Sequence, residues 1–189
     1  MKINMKIVLR LAVIFVSFTQ ITFAQTFLNL DFEKNKDGKP EGWRCMGDGF
    51  KITFDSAVFV SGKKSLCIEK STAEGVYFSA GNRLPPEYGK GKNLVFSGYI
   101  KTDIVENGIA QLWWRVKKNG ELLNFNNMYD KAPRGTTDWT KYTIELKIDD
   151  NPDEIAFGIL FSGKGKVWFD KLQIELNEKI YEDLLQEKK

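Results

Sequence analysis

Nine short runs rich in β-branched and aromatic residues follow one another between residues 50 and 176, with no amphipathic helical pattern between them. They are FKITF (50–54), KSLCIE (64–69), GVYFSA (75–80), NLVFSGYIKT (93–102), IAQLWWRVK (109–117), ELLNFNN (121–127), TKYTIELKI (140–148), EIAFGILF (154–161) and KVWFDKLQIEL (166–176). Clusters of Gly, Pro, Asn and Asp such as KDGKP, VSGKK, KKNG, DDNPD and SGKGK separate them, and these are turn-forming residues. Strands that follow strands without crossover helices imply a β-sandwich or barrel, so the chain predicts an all-β, antiparallel fold.

Alternation assigns the faces of several runs. Tyr142, Ile144, Leu146 and Ile148 oppose Thr143, Glu145 and Lys147, while Leu94, Phe96 and Ile100 oppose Ser97, Tyr99 and Lys101. EIAFGILF is apolar on both faces and predicts a central strand.

The run LWWRV (112–116) places two tryptophans on opposite faces of one strand. Asn119-Gly120 just beyond it is a strong hairpin signal, because a type I′ turn needs φ > 0 at both central positions. With those two residues in the turn, Trp114 is expected to face Phe125 and Val116 to face Leu123 on the apolar side. On the other side Trp113 faces Asn126, Arg115 faces Asn124 and Lys117 faces Leu122. Pairing of strand 93–102 with strand 109–117 would add Tyr99 and Lys101 to that surface. An aromatic plate ringed by carboxamides and a guanidinium suits a sugar, whose C–H face lies on the ring while its hydroxyls pair with the polar groups. The alternative is that the loop NNMYDKAPRGTTDW covers Trp113, which then simply packs there with Arg115 stacked on it.

Residues 1–24 read as a secretory leader. Lys2, Lys6 and Arg10 precede the apolar stretch 11–18, and Thr22-Phe23-Ala24 supplies a cleavage site before Gln25. The protein is therefore expected to be exported, to a periplasm or outside the cell, with no membrane span. Of the 28 Lys and Arg, three lie in this leader, which holds no acid, so the rest of the chain carries 25 cations against 25 acids. That balance removes the charge argument for a nucleic-acid partner. What remains is enough for one domain, residues 25–176, followed by a charged tail at 177–189 that reads as a short helix or a linker. A monomer is expected.

The chain has no histidine, which excludes Ser-His-Asp and Cys-His catalysis, HExxH zinc sites and histidine bases. A two-carboxylate glycosidase would be the surviving enzyme class. Asp48, Asp55, Asp103, Asp130 and Asp138 show no spacing that recommends a pair, and most sit where Asp serves turns, so no catalytic residue is assigned. Cys45 and Cys67 are the only cysteines, open either to a disulfide or to two unpaired thiols.

NLDFE (29–33), GW (42–43), SGKKSL (61–66), FSGYIKT (96–102) and GKVWFDKLQIE (165–175) together resemble the galactose-binding-like jelly roll of carbohydrate-binding modules. The block from Leu112 to Asp170 is also similar to the accessory domain of secreted bacterial hydrolases of the erythromycin-esterase-like and S41-peptidase-like kinds. The resemblance covers about residues 28–176 and implies a non-catalytic binding module, for a glycan or related surface polymer. A protein-interaction or structural domain serving a hydrolase or envelope partner is the other expectation. It also implies a structural Ca²⁺ held by Glu33 and Asp170 with Asp31 nearby, unless these are ordinary strand-end carboxylates. Otherwise no cofactor is expected.

Overall fold

The structure, a computed structural model, describes residues 28–148 and 151–186; the leader expected at 1–24 lies outside them. In chain order the strands are β1 (Asn35–Lys36), β2 (Lys39–Pro40), β3 (Arg44–Met46), β4 (Phe50–Asp55), β5 (Ser65–Lys70), β6 (Tyr77–Leu84) and β7 (Asn93–Glu106). They continue as β8 (Ala110–Lys118), β9 (Glu121–Asn126), β10 (Gly135–Lys147), β11 (Glu154–Ser162), β12 (Lys164–Leu176) and β13 (Lys179–Ile180), and helix α1 (Tyr181–Gln186) closes the chain.

Apart from the small β1–β2 hairpin, the strands form two antiparallel sheets. One runs β10-β7-β12-β5-β4, with β13 on the end of β12, and the other runs β3-β6-β11-β8-β9. The chain passes repeatedly from one sheet to the other, as at β5 to β6, β7 to β8 and β11 to β12. This is an antiparallel jelly-roll sandwich, as the strand succession implied.

The apolar alternation of the strands fills the space between the sheets. Phe96 from one sheet and Trp114 and Phe157 from the other meet edge to face, with centroids 5.2–5.5 Å apart. Such pairs add about 0.5–1.5 kcal/mol each beyond the area they bury. Trp43 continues the cluster against Phe157 and Phe32. The two-sided apolar strand β11 occupies the middle of its sheet, as its composition predicted.

Both ends of the described fold are tied down at one place. The Trp43 indole N–H donates to the carbonyls of Leu28 and Asn29, and the Leu172 N–H donates to the Leu30 carbonyl. Tyr181, fully buried at the start of α1, stacks edge-on against Tyr88 at 5.1 Å. Leu28–Asp31 and Tyr181, Glu182 and Leu185 line the same small cavity.

Candidate functional site

Asn119 and Gly120 both have positive φ (52° and 81°), and the hairpin they close starts in the expected register, with Lys118 opposite Glu121 and Lys117 opposite Leu122. A bulge at Leu123 then shifts it by one: Val116 pairs with Asn124, Arg115 with Phe125 and Trp114 with Asn126. One extra residue in an antiparallel strand sends every following side chain to the other face. Phe125, half exposed, therefore stands beside Arg115, and Asn124 and Asn126 sit in line with the inward-facing Val116 and Trp114. Their amide oxygens accept local backbone N–H groups, from Phe125 at 2.9 Å and Met128 at 3.0 Å. The expected placement of these two carboxamides next to Trp113 and Arg115 is overturned by the bulge.

Trp113 itself faces outward, as expected, and its seat is specific. It pairs with Gly158 on β11, which pairs in turn with Gly81 on β6, which pairs with Arg44 on β3. A β-carbon on Gly158 would stand 2.7 Å from the indole Cζ2, and one on Gly81 would stand 3.0 Å from the same atom. Neither glycine has a positive φ, so backbone conformation does not require glycine at either position. They leave room for an indole that lies across two strands. Its N–H donates to the Ile159 carbonyl at 3.2 Å, which fixes the ring in place.

Charged groups border this plate. One row further along the strands, Arg83, Ala156, Arg115 and Phe125 line up across β6, β11, β8 and β9. Glu154 lies between the two arginines, taking Arg83 at 3.1 Å on one oxygen and Arg115 at 2.8 Å on the other. On the opposite side of the indole come Met46, Ser79, Leu160 and Gln111, with Tyr77 beyond. The Gln111 amide is spent on the Asn127 carbonyl and the Ser79 hydroxyl on that of Ile159. The outer surface of the five-stranded sheet is thus an aromatic plate on a glycine floor, with guanidinium groups along one edge.

Comparison with solved structures places the fold in a known architecture. The xylan-binding CBM22-1 domain of Paenibacillus barcinonensis Xyn10C superposes with a TM-score of 0.56, covering 78% of this chain and 92% of its own at 18% identity. TmCBM61, solved with β-1,4-galactotriose, superposes with the same TM-score of 0.56 over 79% of this chain and 96% of its own at 15% identity. The fold is the galactose-binding-like jelly roll of carbohydrate-binding modules. Among curated sequences, the uncharacterized HTH-type transcriptional regulator YbfP of Bacillus subtilis strain 168 is 31% identical over 160 residues, 82% of this chain. The chain spans about half, 54%, of that relative's length. No family model matches it.

The jelly-roll topology also relocates two expected site residues. Strand β7 pairs with β10 and β12 and lies in the other sheet from β8, so Tyr99 and Lys101 occupy the opposite outer face from Trp113. The chain crosses between sheets at the turn 107–109, where adjacency in sequence had suggested pairing. Lys101 is neutralised there by Asp138 at 2.9 Å, and the Lys171 ammonium lies 5.9 Å from the Tyr99 ring centre.

The expected calcium ligands do not converge. Among the described residues no group of three or more His, Cys, Asp or Glu is placed to hold a metal ion. Asp170 instead accepts the N–H groups of Val60, Ser61 and Lys171 at 2.6–2.9 Å, and Glu33 accepts those of Lys63 and Lys64 at 2.6 and 3.2 Å. Asp31 caps the N–H of Glu33 at 3.2 Å. Carboxylates aimed at N–H donors do not fit a cation, and the pair works as a latch on the loop 58–64. Burial pushes the Asp170 carboxyl above its ordinary range, against the pull of the N–H groups of Ser61, Val60 and Lys171.

Cys45 and Cys67 are unpaired, in different sheets. Burial raises both thiols, that of Cys67 to about 11.

Proposed function

We propose that the protein is an exported, non-catalytic carbohydrate-binding module whose ligand lies on the outer face of the five-stranded sheet, over Trp113. The observation that carries this reading is the seat of the indole. Two strand glycines, neither required by its backbone conformation, make room for a half-buried tryptophan on the outward side of the sheet. Arg83, Arg115, Glu154 and Arg44 border the plate and offer the directional polar contacts that hydroxyls require. The neighbours described as xylan-binding and as bound to β-1,4-galactotriose support a polysaccharide as the ligand class.

Affinity electrophoresis of residues 25–189 through gels containing soluble polysaccharides tests it. Retardation by at least one polymer, lost in Trp113→Ala while circular dichroism stays unchanged, is the expected result. Retardation that survives Trp113→Ala would remove the site from this face.

A second reading has its own support. Met46 (47%), Phe125 (50%) and Tyr77 (45%) are exposed around the same plate, and aromatic groups with arginine also make protein interfaces. Stoichiometric co-purification with one protein, with no response on a glycan array, would favour that reading.

A further inference from the structure

We infer that the ligand of the Trp113 face is an acidic glycan, one carrying uronate carboxylates, an inference that rests on the glycan reading of this face. The argument is one of charge segregation. Beyond the leader the chain is neutral, with 25 cations and 25 acids. On the outer face of the five-stranded sheet the strand registers place Arg44, Arg83, Arg115 and Lys117 against the single carboxylate of Glu154. The outer face of the other sheet is different: there Lys101 meets Asp138, Lys166 meets Glu69, and the Trp168 indole N–H meets Asp55. On the face of Trp113 two arginines share the one carboxylate, which leaves a surplus of positive charge there.

The geometry of the surplus also favours carboxylates. Arg83 and Arg115 are two strands apart, with Ala156 between them, which puts their backbones roughly 10 Å apart. Glu154 holds both, using one Nη of Arg83 and the Nε and one Nη of Arg115, and the remaining N–H groups belong to side chains that are 71% and 37% exposed. Arg44, at the far end of the row that carries the indole, makes no ion pair or side-chain hydrogen bond among the described residues. A guanidinium is a planar fork that matches a carboxylate or phosphate two bonds at a time, and it remains charged at any working pH. A neutral sugar would leave Arg44 and the charge that Arg83 and Arg115 carry beyond their shared Glu154 without a counter-charge; a chain of uronates stacked on the indole would supply it.

Polygalacturonate, its fully methyl-esterified counterpart, neutral xylan and poly(glycerol phosphate) are the probes, with binding measured by affinity electrophoresis and calorimetry on residues 25–189. Polygalacturonate is expected to bind at least tenfold more tightly than its ester or xylan, and to weaken as salt is raised. Arg44→Gln and Arg83→Gln should each lower that affinity roughly tenfold, the size of one lost charge-assisted contact. Arg44 is exposed, so its variant should fold normally. Equal binding of the acid and its ester, abolished in Trp113→Ala, would overturn the acidic ligand and leave the glycan site standing. Preference for poly(glycerol phosphate) would replace carboxylate by phosphate. Acid binding that persists in Trp113→Ala would reduce it to surface adsorption and overturn it. No binding of any polymer would sink the glycan reading itself.

Discussion

The indole of Trp113 lies so close to Gly158 that a β-carbon there would stand 2.7 Å from its Cζ2. That contact ties a residue of β8 to the floor of β11 and makes the ring's orientation a property of two strands. Trp113→Ala should abolish ligand retention, as loss of a central aromatic anchor does. The cost in stability should be small, about 1–2 kcal/mol, because the ring covers strand surface outside the core. Urea denaturation beside a binding assay separates the two effects.

Gly81→Ala tests the floor without touching the plate. The added carbon would meet Trp113 at 3.0 and 3.2 Å and no backbone atom closer than 3.6 Å, so the ring must lift. Affinity should fall severalfold with little change in melting temperature. Gly158→Ala is harsher, since its new carbon would also collide with the Ala80 carbonyl at 2.2 Å. It should lower stability as well as binding.

Trp114, the other half of the pair, is fully buried against Phe96 and Phe157. Trp114→Ala should cost about 3–5 kcal/mol in chemical denaturation. Trp114→Phe should cost much less, because the indole N–H has no hydrogen-bond partner among the described residues and its removal relieves that penalty.

Asp170 gives a pH dependence with a definite sign. Burial holds its folded pKa above that of the unfolded chain, so its contribution is fully present below the unfolded value and is lost as pH rises through the folded one. The stability of the wild type minus that of Asp170→Asn should therefore be largest in acid and shrink towards neutral pH. A difference that grows with pH would mean that the N–H groups outweigh burial. Since the latch on loop 58–64 is made of hydrogen bonds, adding EDTA or calcium should leave the melting temperature unchanged.

Both cysteines should resist alkylation by iodoacetamide at pH 8 in the folded protein and react on unfolding. Cys67, with its thiol pushed to about 11, holds almost no thiolate at that pH. Mass spectrometry under non-reducing conditions should find two modifiable thiols.

The sandwich, the central place of β11 and the turn at Asn119-Gly120 were legible because each follows from a local pattern. The outward direction of Trp113 was legible for the same reason. The bulge at Leu123 was not, since Leu122 and Leu123 are both apolar and hide a slip of one residue. Its consequence was an exchange of Asn124 and Asn126 for Phe125 beside the site. Strands β7 and β8 are neighbours in sequence but belong to different sheets, a choice made by the pairing partners β10, β11 and β12 far along the chain. Arg44 and Arg83 reach the site through Gly81, a juxtaposition set wholly by tertiary register. A local signal did exist for the floor: Ala156 and Gly158 alternate with Ile155, Phe157 and Ile159 in EIAFGILF, leaving the middle of one face of a central strand nearly bare.

The meeting of Leu28–Asp31 with Tyr181 and Leu185 at one cavity has a consequence for how such a fold travels. A folded body whose entry and exit lie side by side can be spliced into a surface loop of a host protein without prising that host open. It needs no long connector, because both connections leave the fold at one place.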